Sequence, residues 1–283
     1  MTVPAAPVPG LRLGPPVEVG ADATACDRAR ADLSERGTAL LYADRRDLRP
    51  PPGTGEDLRG LLGRDWPRYL DLAGAEVRDR YAVSRLLAGS VARVLRGDPD
   101  ALEIAYGPTG RPYLRGYGHI DISLSRAGEL LVVGLTTQGL IGVDAEHTGR
   151  ELYGSELGRR VCTAYETITL AALPEEQRNP RLVRLLTLKA AYSKAIGQGT
   201  RLPFTEFGFG PDGRPMRARR PDGSPGSGDE WTFRTFPLTG GHCVSVAVYD
   251  AGDVPPGGTG PAAPLGADRG EGAEGPDDTP HGP

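Results

Sequence analysis

The amino-acid sequence predicts an α+β fold, in which helices pack on small, mainly antiparallel sheets. Three patterns carry that expectation. Short β-like runs succeed one another at Leu102–Ala105, Ile120–Leu124, Leu130–Leu135 and Leu140–Ala145. Apolar residues recur at helical spacing on both sides of this block. The final run, Cys243–Tyr249, alternates Val244, Val246 and Val248 as a half-buried strand does.

Taken in order, residues 1–20 carry Pro4, Pro7, Pro9, Pro15 and Pro16 and read as a poorly ordered leader. Gly37–Asp47 holds a short apolar run suited to a strand, and Asp47–Gly63 is a Pro/Gly-rich loop. From Asp65 to Leu95, Val77, Tyr81, Leu86, Leu87, Val91 and Leu95 recur at helical spacing, which predicts one or two amphipathic helices. After the four β-like runs a helix is expected over Leu152–Leu173, broken near Pro174. Another runs from Pro180 to Ile196, where Gly197 and Gly199 stop it. Strands at Phe204–Phe209, Trp231–Phe236 and Cys243–Tyr249 finish the body, with residues 210–230 as a turn-rich connection. In 251–283, 16 of 33 residues are Gly or Pro, which predicts a disordered tail.

Composition excludes several classes. The 283 residues are 25% charged and 38% hydrophobic, with 41 Gly and 27 Pro displacing core-formers. Mean hydropathy is −0.35. No window approaches ~18 consecutive apolar residues, so no membrane span is expected. The first twenty residues lack the apolar run of a signal peptide. Cys26, Cys162 and Cys243 are widely spaced with no CxxC pair, which argues against a disulfide framework or a zinc site. A cytoplasmic protein is the expectation. The formal charge is −4, but the tail alone contributes six acids against Arg269, so the body is near balance at +1. A duplex-binding protein would carry a positive field, so nucleic acid is not an expected partner.

The basic residues divide unevenly: 31 are Arg and two, Lys189 and Lys194, are Lys. Where arginine serves almost everywhere, a retained lysine marks a place that needs a compact ammonium; residual codon usage is the plain alternative. Both lie in one predicted helix, Lys194 on a stripe with Leu186 and Ala190, and Lys189 on the neighbouring face with Ser193. Upstream, Gly142-Val143-Asp144-Ala145-Glu146 ends a predicted strand. Residues i and i+2 of a strand share a face, so Asp144 and Glu146 present two carboxylates side by side. A hard divalent cation neutralises such a pair, and Mg²⁺ commonly takes one or two carboxylates plus substrate phosphate. A solvated strand end is the other reading. Carboxylates facing lysines point to phosphoryl-transfer chemistry. Arg111 in the turn Gly110-Arg111-Pro112-Tyr113, and Ser123, Ser125 and Arg126 at a strand end, are further candidate phosphate contacts.

In this order the pieces resemble the Sfp-type 4′-phosphopantetheinyl transferases. The matching elements are Ser84-Arg85-Leu86-Leu87, Gly110-Arg111-Pro112-Tyr113-Leu114, Ile122-Ser123-Leu124-Ser125 and Ile141-Gly142-Val143-Asp144-Ala145-Glu146. Thr163-Ala164-Tyr165-Glu166 at a helix start and the run from Leu186 to Gly199 complete the set, spanning about residues 65–249. The resemblance implies two similar halves related by a pseudo-twofold, 21–138 and 139–250, with coenzyme A in the cleft between them. It implies Mg²⁺ (or Mn²⁺) on the pyrophosphate. It also implies transfer of 4′-phosphopantetheine to a serine of an acyl or peptidyl carrier protein, in fatty acid, polyketide or nonribosomal peptide synthesis, by a monomer. By position, Asp144 and Glu146 are metal ligands and share catalysis with Lys194. Lys189 and Lys194 contact phosphates. Arg85 and Ser123 hold the 3′-phosphate, Arg111 borders the adenine and phosphates beside Pro112, and Glu166 braces the site.

Three positions depart from the family pattern. Ala190 stands where the family has a Glu that serves as third metal ligand and route for the serine proton. Leu124 replaces a His at the 3′-phosphate, and Leu186 replaces a Trp. The first two leave room for two other readings: a family member that holds coenzyme A or a carrier without efficient transfer, or one repurposed for another reaction on coenzyme A. His119 and His147 converge on no metal set, Cys162 reads as core filling, and Arg214, Arg217, Arg219 and Arg220 as a solvated hairpin.

Overall fold

In the computed structural model the described residues are 13–19, 23–44, 46, 59, 62–63, 66–97, 102–210 and 213–250. The chain divides into two units, Met1–Asp253 and Val254–Pro283, and every described residue belongs to the first. The expected tail, and the leader before residue 13, lie outside the described residues. The elements are β1 (Val17–Glu18), α1 (Ala23–Arg36), β2 (Thr38–Asp44), α2 (Trp66–Asp71), α3 (Ala75–Leu95), β3 (Ile104–Tyr106), β4 (Pro112–Leu114), β5 (Asp121–Ala127), β6 (Leu130–Thr136) and β7 (Leu140–His147). The second part of the chain adds α4 (Glu156–Val161), α5 (Ala164–Ala171), α6 (Glu175–Ala195), β8 (Gly208–Phe209), β9 (Pro215–Met216), β10 (Trp231–Leu238) and β11 (His242–Tyr249). The fold is α+β, as the sequence predicts. Among the described residues no helix is long and apolar enough to cross a membrane.

Two sheets organise these elements. One has the order β1-β2-β6-β5 and the other β10-β11-β7; apart from the parallel β1–β2 contact, all pairings are antiparallel. Residues 13–19, read from the sequence as leader, instead carry β1, and Leu13, Val17 and Val19 are buried. Helix α1 is an element that the sequence reading passed over. Its buried face is Ala25, Cys26, Ala29 and Leu33, and it packs with Val91 and Ala92 of α3 over β2 and β5. Small side chains give that stripe little hydrophobic contrast, but they let the helix sit close to its neighbours.

Between the sheets, Val132 of β6, Ile141, Val143 and Ala145 of β7, and Val244, Val246 and Val248 of β11 form one apolar layer. Gly134 on β6 makes that layer possible: a Cβ there would stand 2.6 Å from Val143 Cγ1. Behind β7 and β11 lies α6, whose Leu182, Leu185, Leu188, Ala191 and Tyr192 pack with Phe207, Phe209 and Trp231. Tyr192 stacks on Phe207 with centroids 4.0 Å apart and meets Trp231 edge-on at 4.8 Å.

Helix α6 crosses β7 closely because residue 142 is glycine. A Cβ at Gly142 would fall 1.8 Å from the Ala191 carbonyl oxygen. Backbone cannot yield as a flexible side chain can, so Gly142→Ala is expected to destabilise by about 3 kcal/mol or more. Thermal melting measures this, and an unchanged midpoint would contradict the close crossing.

Two helix boundaries differ from expectation for identifiable reasons. The predicted helix over Leu152–Leu173 is two helices, because Thr163 starts a new one with a capping box: its hydroxyl accepts from Glu166 N, and the Glu166 carboxylate accepts from Thr163 N. Helix α6 begins at Glu175 rather than Pro180, carrying Pro180 inside it. The strand expected at Phe204–Phe209 is only the two-residue β8.

Candidate functional site

The site lies on the seam between β5 and β7, and its construction follows from the alternation in Asp121-Ile122-Ser123-Leu124-Ser125. Ile122 turns into the first core, which leaves Asp121, Ser123 and Ser125 on the opposite face. There they take the place of a backbone ladder. Ile141 N donates to Asp121 Oδ2 (2.7 Å), Val143 N to Ser123 Oγ (3.0 Å) and Ala145 N to Ser125 Oγ (3.2 Å). Side chains bridging two strands hold them further apart than direct pairing does, and two cations occupy the seam.

Arg111 fills one end. Its guanidinium donates to Asp121 Oδ2 (2.5 Å), to the carbonyls of Ala195 (2.6 Å) and Ile141 (3.3 Å), and to that of Lys194. It thereby fastens the C-terminal end of α6, where a cation is favourable, to the edge of β5. Burial pushes the Asp121 carboxyl above its ordinary range, and Arg111 works against that shift.

Lys194 fills the other end. Its ammonium donates to Asp144 Oδ1 (2.7 Å), Ser125 Oγ (3.0 Å), Val143 O (3.0 Å) and Leu124 O (3.2 Å). Its side chain keeps 33% of its surface exposed against 17% for Asp144, so the pair sits at a mouth rather than in the core. Burial raises the Asp144 carboxyl pKa, opposed by Lys194 and by the Ser125 hydrogen bond. Glu146, two residues along β7, is ion-paired with Arg150 and accepts from His147 N at 3.0 Å.

Two adjoining cavities open here. The smaller, about 190 Å³, is lined by Arg111, Pro112, Ser123, Leu124 and Lys194. The larger, about 720 Å³, shares Tyr106 and Leu124 with it and adds Arg68, Arg85 and Arg115. Of the residues predicted from sequence, Arg111, Pro112, Ser123 and Lys194 therefore meet in one cavity, with Asp144 bound to Lys194 and Arg85 in the next. A third cavity of about 530 Å³, lined by Tyr165, Arg181, Arg184 and Phe209 among others, shares no residue with these two.

Lys189 is not among them, which corrects the expectation that it contacts phosphate. Its ammonium donates to Glu166 Oε2 (2.5 Å), Val161 O (2.7 Å) and Phe204 O (2.8 Å), and the side chain has no exposed surface. Three protein oxygens surround it and no ligand can reach it, whereas Lys194, though also bonded to protein oxygens, is one-third exposed. Burial lowers its pKa, with Glu166 opposing. Glu166 braces the fold more than the cavity mouth, since it also accepts from Thr163 N and Phe209 N. Nearby Cys162 is 7% exposed, and burial, then Glu166, pushes its thiol up to about 11. At pH 8 only about one thiol in a thousand is then ionised, so Cys162 should resist iodoacetamide in the folded protein. Peptide mass spectrometry checks this, and rapid alkylation without unfolding would refute it.

The carboxylates permit a test of fit for Mg²⁺. Asp144 and Glu146 are hard oxygen donors on one strand face, the number of protein ligands that Mg²⁺ commonly takes. Among the described residues no cluster of three His, Cys, Asp or Glu forms. Each carboxylate already faces a cation, Lys194 or Arg150, so the four groups balance in charge. The set fits a Mg²⁺ that arrives with an anionic substrate, and fits poorly a metal held by protein alone.

Sequence reasoning did not find Asp121, Arg150, Arg68, Arg115 or Tyr106. The alternating polar positions of β5 were a legible signal for the first; the others carry none beyond their residue type.

Comparison with known proteins points to the same region. Residues 140–247 match the model of the 4′-phosphopantetheinyl transferase superfamily. The chain is also 32% identical over 125 residues to a provisionally named 4′-phosphopantetheinyl transferase of Synechocystis sp. (strain PCC 6803), covering 43% of this chain and 51% of that protein. The chain thus spans about half the length of the curated relative it matches. The family match includes Asp144, Glu146 and Lys194, and over residues 140–247 the chain is similar to the 4′-phosphopantetheinyl transferase superfamily.

Proposed function

We propose that this protein transfers 4′-phosphopantetheine from coenzyme A to a serine of an acyl or peptidyl carrier protein, as a Mg²⁺-dependent monomer in the cytoplasm. The observation that carries the reading is the Lys194–Asp144 pair at the mouth of an arginine-lined double cavity. A basic cleft beside paired carboxylates suits a nucleotide diphosphate and its counter-ion.

The roles follow from which side chains line the two cavities. Ser123 Oγ accepts from Val143 N, which leaves its hydroxyl proton for a phosphate oxygen. Arg85 lines the larger cavity with Arg68 and with Arg115, which is paired with Glu103 at 3.1 Å, and this net positive wall would face the 3′-phosphate. Arg111 is committed to four protein oxygens and acts as the rigid wall, with Pro112, against the adenine. Lys194 lies where it can meet negative charge on the diphosphate. Asp144 and Glu146 would hold Mg²⁺, which supplies neutralisation of the diphosphate.

In the reaction, the carrier serine oxygen bonds to the phosphorus next to the pantetheine arm, and that phosphorus loses its bond to 3′,5′-ADP. Lys194 stabilises the departing ADP, and Glu146 accepts the serine proton. Fixed cations act here without reorganising, which is the main source of their catalytic effect.

Intact-mass spectrometry of an apo carrier incubated with this protein, coenzyme A and Mg²⁺ tests the proposal. The expected result is a gain of one phosphopantetheine, lost with EDTA or with Asp144→Ala. Ala190 and Leu124 favour a second reading, in which coenzyme A is bound without transfer. Calorimetric binding with no mass gain across several carriers would establish that one instead.

A further inference from the structure

We propose that Ser125 is a positioning residue for the Lys194–Asp144 pair. Its Oγ donates to Asp144 Oδ1 at 3.0 Å and accepts from Lys194 Nζ at 3.0 Å and Ala145 N at 3.2 Å. A hydroxyl has one donor and two acceptor sites, so every hydrogen-bonding capacity of Ser125 is used and its rotor is fixed. One atom thus touches the ammonium, the carboxylate and the backbone of the strand that carries the carboxylate. Both Ser125 and Lys194 bond to Asp144 Oδ1, while no hydrogen bond among the described residues reaches Oδ2. The hydroxyl therefore decides which oxygen of Asp144 is committed to protein and which is left for a cation. It also holds Lys194 against the β5–β7 seam, together with the Leu124 and Val143 carbonyls.

The lysine count supplies a direct probe. The chain has two lysines, and Lys189 is fully enclosed. Amine acylation of the folded protein therefore reports on Lys194 alone among its side chains. Wild type, Ser125→Ala and Ser125→Thr are each treated with limiting sulfo-N-hydroxysuccinimide acetate, and modification at Lys194 is timed by peptide mass spectrometry. A hydrogen bond to a charged group corresponds to about a tenfold change. Ser125→Ala should accelerate labelling about tenfold, while Ser125→Thr stays near the wild-type rate. Labelling of Ser125→Ala at the wild-type rate, or of Ser125→Thr as fast as Ser125→Ala, overturns the proposal. If the alanine variant melts far below wild type, Ser125→Cys, a weaker hydrogen-bonding group, takes its place.

The consequence for transfer rests on the function proposed above and is read separately. In the carrier assay, Ser125→Ala should lower kcat more than it raises KM for coenzyme A, and Ser125→Thr should restore kcat. Faster labelling with kcat unchanged would overturn a role in transfer. A wild-type protein that transfers nothing would sink the proposed function, while the labelling result still decides the positioning of Lys194.

Discussion

Lys189→Met is expected to cost about 3–5 kcal/mol of stability, the cost of removing one partner of a buried ion pair. Total domain stability is on the order of 5–15 kcal/mol, so this is enough to leave much of the protein unfolded under mild stress. The reason is the environment of the ammonium. Glu166, 3% exposed, would be left in the core without the cation 2.5 Å away. The carbonyls of Val161 and Phe204 would lose their donor as well. Urea unfolding measures the loss. Adding Glu166→Gln to Lys189→Met should recover part of it, because the amide oxygen can still accept from Thr163 N or Phe209 N without carrying charge. Lys194→Ala is the contrasting case. Lys194 is partly exposed, so its removal should cost stability little and transfer much. A Lys189→Met variant with a wild-type midpoint and weakened coenzyme A binding would restore the phosphate-contact reading and overturn this one.

That contrast shows where the sequence was legible. The helix carrying both lysines, the strand ending in Asp144-Ala145-Glu146 and their mutual proximity could all be anticipated, because periodicity and the order of motifs encode them. Burial of Lys189 could not. A lysine in a half-apolar helix gives no sign of its direction, and its neutralising partner lies 23 residues away, on α5. Helix α1 escaped notice because, apart from Leu33, alanines and a cysteine make its buried face, and such residues scarcely change a hydrophobic pattern. The split at Thr163 was written in the Thr-x-x-Glu spacing, yet the surrounding apolar run looked continuous. The seam belongs to a third kind. Alternating Asp121, Ser123 and Ser125 look like the solvated face of an edge strand, and only the second sheet beside them turns that face into a set of bridges.

Ala190→Glu is the change expected to raise transfer most, by about 10²-fold or more, within the range that a positioned acid–base group supplies. Ala190 is half-buried on α6, one helical turn before Lys194. A carboxylate there would sit N-terminal to a lysine at i, i+4, the favourable orientation for such a pair on a helix. It would also change the charge of the site. Asp144 and Glu146 are now balanced by Lys194 and Arg150, and a third carboxylate would leave one negative charge to attract a dication. Two effects should therefore appear together: a faster transfer rate and a lower Mg²⁺ concentration for half-maximal activity. Their separation would be informative. A lower Mg²⁺ requirement with no gain in rate would mean that Glu146 already handles the serine proton and that residue 190 matters only to the metal. If neither moves, the side chain at 190 does not face the diphosphate, and the charge balance already present around Lys194 is the complete site.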